Sequence, residues 1–265
     1  MIIDHDLHIH TNLSSCSNDP DAIPSKIIKK ARKNGLKTIG FCDHFWDETV
    51  PGASGWYKGQ DFTHVSLIRN QIPRDKEGID VLIGCETEYC GGGKIGISKA
   101  RVEEFDYVLV PISHFHMKGF VVPDMNLSFE DMANLLVERF IEVLQLDIAT
   151  AIPHPFYPVG YTQYVDEILS YVEDNAFYDC FNMAADKKVG IEVSNVMFPG
   201  SRGKKYDGFH DETFLRILSI ARECGCMFYF GSDAHELDSI GLVKNLGPYA
   251  QRIGIAEKQL MLNIL

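Results

Sequence analysis

Histidine and carboxylate residues recur through this chain at spacings suited to holding metal ions. Near the start, His8 and His10 stand two apart in Ile2-Ile3-Asp4-His5-Asp6-Leu7-His8-Ile9-His10. Alternate side chains of a strand share a face, so the two imidazoles project together with Asp6 behind them. Near the other end, Gly231-Ser232-Asp233-Ala234-His235 offers a near-mirror in Asp233 and His235. Between these lie Asp43-His44, Glu86, His114 and His154, each at the end of an apolar run. Imidazole and carboxylate donors suit zinc, manganese or iron, and one glutamate can bridge two ions through its two oxygens. A single histidine at a strand end is usually a hydrogen-bonded structural residue. That explanation fails for His8, His10, His44, Glu86, His114, His154, Asp233 and His235 together, because such groups cluster at functional sites. His5, His64, His116 and His210 lack this regular placement and read as structural or surface histidines.

The elements that must position these donors are strands alternating with helices. Strand-like runs fall near 2–9, 38–43, 80–89, 107–113, 148–153, 189–195 and 227–232. Asp21 to Asn34 carries Ile23, Ile27, Ile28 and Ala31 at helical spacing and stops at Gly35. Ser128-x-x-Asp131 fits a capping box opening a helix with Leu135, Leu136, Phe140, Ile141 and Leu144 on its apolar side. Tyr164 to Asp186 and Asp211 to Glu223 also read as helices. The alternation predicts an α/β fold of parallel βαβ units. An open sheet would spread the donors in a row, whereas a barrel gathers all strand C-termini around one mouth. Seven strands, six of them ending in a potential ligand, favour a closed or nearly closed barrel, one strand smaller than usual.

Three connections carry extra material on that side: 45–60 with Trp46, Trp56 and Tyr57, 115–126 after His114, and 197–209 with Arg202, Lys204 and Lys205. The aromatic loop is expected to pack on the rim. Arg202 and Lys204 are candidates to contact an anion, since the planar fork of arginine suits phosphate.

Length and composition narrow the functions further. A chain of 265 residues, 45% hydrophobic and 23% charged, fits one α/β barrel domain over 1–265. No apolar run reaches the roughly 18–20 residues needed to span a bilayer, and Asp4, His5 and Asp6 interrupt any signal-peptide pattern. Seven scattered cysteines without a C-x-x-C pair predict a reducing, cytoplasmic setting. The formal charge of −12 speaks against nucleic acid as the main partner. No G-x-x-x-x-G-K-[ST] or G-x-S-x-G motif is present, so neither a nucleotide-dependent kinase nor a serine hydrolase is expected.

Taken together, Asp6-Leu7-His8-Ile9-His10-Thr11, Cys42-Asp43-His44, Gly84-Cys85-Glu86, Ser113-His114, Pro153-His154-Pro155 and Ser232-Asp233-Ala234-His235 resemble the polymerase and histidinol phosphatase (PHP) family over essentially the whole chain. The resemblance implies a distorted, TIM-like seven-stranded (β/α)7 barrel with two or three divalent ions, zinc, manganese or iron. It implies one ion on His8, His10, Glu86 and Asp233, a second on His44 and His235, and a third on Glu86, His114 and His154. Many relatives place a His or Asp where this chain has Cys16, which is left open as ligand or spectator, with Asp19 and Asp21 nearby. Asp6 and Asp43 are expected to orient imidazoles from behind.

The expected reaction is hydrolysis of a small phosphorylated metabolite by a metal-bridging hydroxide at a trinuclear site, since coordination lowers the pKa of water from about 15.7 towards roughly 7. Asp233, His235 or metal-bound water would protonate the leaving group. The likeness to the histidinol phosphatase branch puts L-histidinol phosphate, and so histidine biosynthesis, first. Another phosphoester, an amidohydrolase-like C–N cleavage on a similar barrel, and a non-catalytic metal-binding module are the alternatives.

Overall fold

The computed structural model describes residues 1–123 and 125–263. Within them the apolar runs become short parallel strands: β1 (His5–Ile9), β2 (Thr38–Phe41), β3 (Asp80–Ile83), β4 (Cys85–Glu86), β5 (Val108–Leu109), β6 (Ala151–Ile152), β7 (Gly190–Ser194) and β8 (Phe228–Gly231). They form two parallel sheets, β1-β2-β3 and β4-β5-β6-β7-β8. The expected alternation of strands and helices is present, but the run 80–89 is two strands instead of one. It divides at Gly84, where the Tyr107 ring fills the space a side chain would need: a Cβ there would lie 2.5 Å from the ring. Pairing continues past the break, with Gly84 N–H donating to Phe41 O at 2.8 Å and Glu86 N–H to Asp43 O at 3.1 Å. At the other margin β1 meets the segment after β8 through the Ile9–Ala234 bridge, and His10 N–H donates to Ala234 O at 2.9 Å.

The helices follow from local chemistry. The first spans Pro24–Lys33, starting later than the apolar spacing alone suggests. Proline suits the first turn, where its missing N–H is no loss, and Lys30, Arg32 and Lys33 complement the carbonyl end. Ile27, Ile28 and Ala31 form its buried face, each isoleucine worth about 1.5–3 kcal/mol. The capping box expected at Ser128 and Asp131 opens the helix Phe129–Gln145. The segment 164–186 is broken into Val165–Leu169 and Asp174–Lys187. Glu173 adopts an extended conformation between them and starts the second helix, whose first turn carries Asp174. Asp211–Glu223 is helical as expected.

Two apolar layers hold the strands. A large outer core lies between strands and helices, including Ile27, Phe140, Phe181, Val193 and Leu218. A smaller cluster joins Leu7, Cys42, Tyr107, Leu109, Ala151, Tyr229 and Met261. Tyr107 donates its hydroxyl to Leu7 O at 2.8 Å, fixing the ring that divides β3 from β4. In the sequence Leu7 and Cys42 immediately precede His8 and Asp43, so an apolar floor lies before the polar ends. Among the described residues no helix is long and apolar enough to cross a membrane.

Candidate metal centre

The polar residues that follow the strands converge. His8 comes from β1 and His10 follows it, His44 follows β2, Glu86 ends β4, His114 and His154 follow β5 and β6, and Asp233 and His235 follow β8. Donors about 2.0–2.1 Å from a tetrahedral ion stand about 3.3–3.4 Å from one another. His8 Nε2 and His10 Nε2 are 3.2 Å apart. Asp233 Oδ1 lies 3.4 Å from the first and 3.3 Å from the second. Glu86 Oε2 lies 3.6 Å and 3.3 Å from the same two nitrogens. These separations bring His8, His10 and Asp233 to the spacing of donors to one ion, with Glu86 Oε2 beside the two imidazoles, and the donor set suits zinc, manganese or iron. Glu86 Oε1 faces away from that group, 3.3 Å from His154 Nε2 and 3.8 Å from His114 Nε2. Among the described residues, three groups bring donor atoms within 4.8 Å: His8, His10 and Asp233; Glu86, His114 and His154; and His10, Cys16, His44 and His235.

Each imidazole is oriented through its other nitrogen. His8 Nδ1 is 2.8 Å from Glu192 Oε1, and His114 Nδ1 is 2.7 Å from Glu88 Oε2. His154 Nδ1 meets Ser113 Oγ at 3.0 Å, His10 Nδ1 meets Ser14 Oγ at 3.2 Å, and His235 Nδ1 meets the Asp233 carbonyl at 2.8 Å. Tyr57 contributes its hydroxyl to both Glu88 Oε2, at 3.1 Å, and His44 Nδ1, at 3.4 Å. Such partners fix ring orientation and tautomer. Glu192 and Glu88 were missed in the sequence reading. The available signal was a carboxylate inside an otherwise apolar strand, which must find a partner when buried.

Asp6 and Asp43, expected behind the imidazoles, instead accept from backbone N–H groups and, at Asp43, from the Thr11 hydroxyl. Asp6 Oδ1 accepts from Ser232 N at 2.9 Å and His8 N at 3.3 Å, and Asp43 accepts from Thr11 N at 2.6 Å and Thr11 Oγ1 at 2.7 Å. In this stretch the pairing of β1 with β2 is irregular, its register shifting between Asp6 and Ile9. Two donors also sit in left-handed backbone, His154 at φ 28° and Asp233 at φ 53°. Such conformations cost on the order of 1–3 kcal/mol each and persist where surroundings over-determine them. At His154 the constraint is Glu192 Oε2, which accepts the backbone N–H at 2.5 Å.

Electrostatics point to stored demand for positive charge. Burial alone would push the His8 imidazole down, yet Glu192, Asp233 and Glu86 hold it well above its ordinary value. Burial likewise opposes ionisation of Glu86, yet His44, His8, His10 and His154 keep it well below the usual carboxylate range. Burial pushes the Cys16 thiol up, but His10, His235 and His44 bring it down to about 3. With Nδ1 of His8 facing a carboxylate, its Nε2 lone pair points at His10 Nε2 and at two carboxylate oxygens. Lone pairs converging this closely require protons or a cation between them.

A cavity of about 460 Å³ opens over these donors. Cys16, His44, Glu86, His114, His154, Asp233 and His235 line it, with walls of Trp56, Tyr57, His116, Met117, Tyr157 and Val159. Trp46 is buried, its indole N–H donating to Val50 O at 2.9 Å, as a rim-packing role requires. Trp56 departs from that role, standing 39% exposed with its ring edge-on to His44. Arg202 and Lys204 do not line the cavity. Asp207 takes both, at 3.0 Å and 2.9 Å, so the charges in this loop are satisfied within it. His116 is in the wall but in none of the three donor groups. Asp19 accepts from Leu237 N at 2.8 Å and Asp21 pairs with Lys26 at 2.5 Å, both outside those groups.

The sequence profile described as PHP domain matches residues 6–194. A probable phosphatase from Vibrio campbellii is 26% identical over 231 residues, covering 86% of this chain and 76% of its own. Another from Caldicellulosiruptor bescii is 23% identical over 242 residues, covering 91% and 83%. Among solved structures, the histidinol phosphate phosphatase of Lactococcus lactis, complexed with zinc, L-histidinol and phosphate, is similar with a TM-score of 0.59. The identity there is 17%, over 96% of this chain and 94% of that one, so the likeness speaks for the fold. The profile ends before Asp233 and His235, which the strand pairing of β8 brings back beside His8 and His10.

Proposed function

The chain belongs to the PHP domain family, and on that footing we propose that it is a metal-dependent phosphatase acting on a small phosphomonoester, L-histidinol phosphate first. The observation that carries this reading is the spacing of His8, His10 and Asp233, which suits donors to one ion, with Glu86 beside them and with Glu86 and Asp233 lining a cavity large enough for a small metabolite. We read residues 1–265 as one domain, and the strand succession as a distorted seven-stranded barrel in which β3 and β4 count as one interrupted strand. The ligand assignment is two or three divalent ions, zinc, manganese or iron: one on His8, His10, Glu86 and Asp233, and one on Glu86, His114 and His154. A further position lies toward His44 and His235.

Bound cations would supply positive charge for the phosphoryl oxygens and lower the pKa of water towards about 7. The chain's own residues do the rest. Glu192, Glu88, Ser113 and Ser14 hold the imidazoles in their rotamers, so little reorganisation is needed when charge develops. Asp233 and His235 face the cavity together, with His235 Nδ1 3.7 Å from Asp233 Oδ1, and are assigned to proton transfer at the leaving oxygen. Trp56 and Tyr157 enclose the organic part and exclude water. Arg202 would meet phosphate only after releasing Asp207, and Lys204 likewise. The substrate is suggested by the Lactococcus lactis enzyme, whose crystal holds L-histidinol and phosphate.

The test is phosphate release from L-histidinol phosphate by protein loaded separately with manganese, zinc and iron, with His8→Ala as control. Turnover is expected with at least one metal and a fall of about 10²–10³-fold in the control. Release from other phosphomonoesters but not this one would overturn the substrate; cleavage of cyclic amides without phosphate release would overturn the reaction class. The walls give a second prediction. Trp56→Ala and Tyr157→Ala should each raise KM about 3- to 10-fold, the worth of one aromatic contact, with kcat less affected. Equal losses in kcat and kcat/KM would assign these rings to the chemistry itself.

A further inference from the structure

We propose that Cys16, His44 and His235 form a thiolate-bearing cation position that selects a thiophilic ion such as zinc, cobalt(II) or iron(II) over manganese or magnesium. The inference rests on the metal-dependent reading above and specifies which kind of ion one of its positions takes. Its basis is a contrast in donors. The other two groups each include a carboxylate, Asp233 in one and Glu86 in the other, whereas the group containing Cys16 offers only nitrogen and sulfur. Thiolate with imidazole favours zinc and its soft neighbours, and manganese and magnesium prefer carboxylate and water.

His10 lies within reach of the same group, but its Nε2 stands 3.2–3.3 Å from His8 Nε2, Glu86 Oε2 and Asp233 Oδ1, and its Nδ1 faces Ser14. Cys16, His44 and His235 then remain as three protein donors, the number that leaves a fourth position open toward the cavity they line. The imidazoles are set for this. His235 is tied through Nδ1 to the Asp233 carbonyl, and His44 presents Nδ1 to Tyr57 and Glu86, so Nε2 is the nitrogen left on each ring. His10 stacks between them, with ring centroids 4.7 Å from His44 and 4.4 Å from His235.

Cys16 is fixed from both sides. Ser15 N–H donates to Gln60 Oε1 at 2.8 Å, and Ser17 Oγ donates to the His235 carbonyl at 2.8 Å. The residue after the thiol is thus pinned to the residue that supplies the neighbouring donor. Cys16 is also the one cysteine among the described residues that lines this cavity. On binding, the sulfur–metal bond forms from the thiolate, and a proton held by the neighbouring imidazoles leaves to solvent.

The experiment loads wild-type protein, Cys16→Ser and Cys16→Asp with cobalt(II) and records the near-ultraviolet thiolate-to-cobalt charge-transfer band. The band is expected in wild type and absent from both variants. In a second arm, each protein is dialysed against equal zinc and manganese and its metal content measured. Cys16→Asp should lower the bound zinc-to-manganese ratio at least about ten-fold while keeping a ligating side chain. Circular dichroism confirms that each variant is folded. A wild-type spectrum without the band, or a band that persists in Cys16→Ser, overturns the proposal. Phosphate release is measured on the same samples. Activity without the band defeats this inference alone, and the band without activity on any phosphomonoester supports it while defeating the phosphatase reading.

Discussion

Glu86→Gln is expected to reduce phosphate release by about 10³-fold and to lower the bound divalent metal, while leaving the fold intact. Glutamine has the same shape, so the loss would report charge and donor pattern. Glu86 Oε2 lies within 3.6 Å of His8 Nε2 and 3.3 Å of both His10 Nε2 and His44 Nδ1. Its Oε1 serves His154 at 3.3 Å. Whichever way the amide turns, an NH2 group would be aimed at nitrogens or cations that require an acceptor. Removing one preorganised group of this kind costs about 10²–10³ in rate, and Glu86 belongs to two of the proposed positions, which puts the expectation at the upper end. The measurements are kcat/KM and metal content after dialysis. Activity within ten-fold of wild type, with full metal content, would remove Glu86 from the centre of the site.

Glu192 offers the second large effect, and its two substitutions should separate chemistry from folding. Its carboxylate is wholly buried, with one oxygen on His8 Nδ1 at 2.8 Å and the other on the His154 backbone N–H. Glu192→Ala strips two buried donors of their partner at once. Breaking a buried pair in this way costs about 3–5 kcal/mol, so a clear fall in Tm is expected. Glu192→Gln keeps an acceptor and most of the stability, but His8 loses the carboxylate that raises its basicity. Zinc affinity or activity should then drop about 10–100-fold. The same pair explains Gly231: a Cβ there would stand 2.0 Å from Glu192 Oε1 and 2.6 Å from His8 Cβ. Thermal melting and zinc titration on both variants check the expectation. Wild-type zinc binding by Glu192→Gln would mean that His8 is held by packing alone.

The donors were readable along the chain because they obey local rules. His8 and His10 follow the two-residue repeat of a strand, and His44, Glu86, His114, His154, Asp233 and His235 follow apolar runs that become, or extend, β2, β4, β5, β6 and β8. What was misread depended on distance in sequence. Asp6 was expected to back the imidazoles because a regular strand would put it there, but its carboxylate takes the backbone N–H of Ser232, 226 residues away. Arg202 seemed free for phosphate because nothing in local spacing shows that its loop closes on Asp207. The run 80–89 seemed one strand because the ring that divides it, Tyr107, arrives from another element.

The sequence by itself determined the chemistry available to this protein: imidazoles and carboxylates delivered to strand ends by apolar periodicity, with a thiol at Cys16, in an acidic α/β chain of the PHP family. Those properties are local, since strand period and turn residues act over a few positions. Only the tertiary structure decided which donors come within a few ångströms of one another and which groups hold them. His8 meets Glu192 across 184 residues and His114 meets Glu88 across 26, contacts made by strand order in the folded sheets. It also brought Cys16 beside His44 and His235. The physical reason is that coordination depends on separations of a few ångströms between side chains, and chain spacing constrains those only where one element carries both.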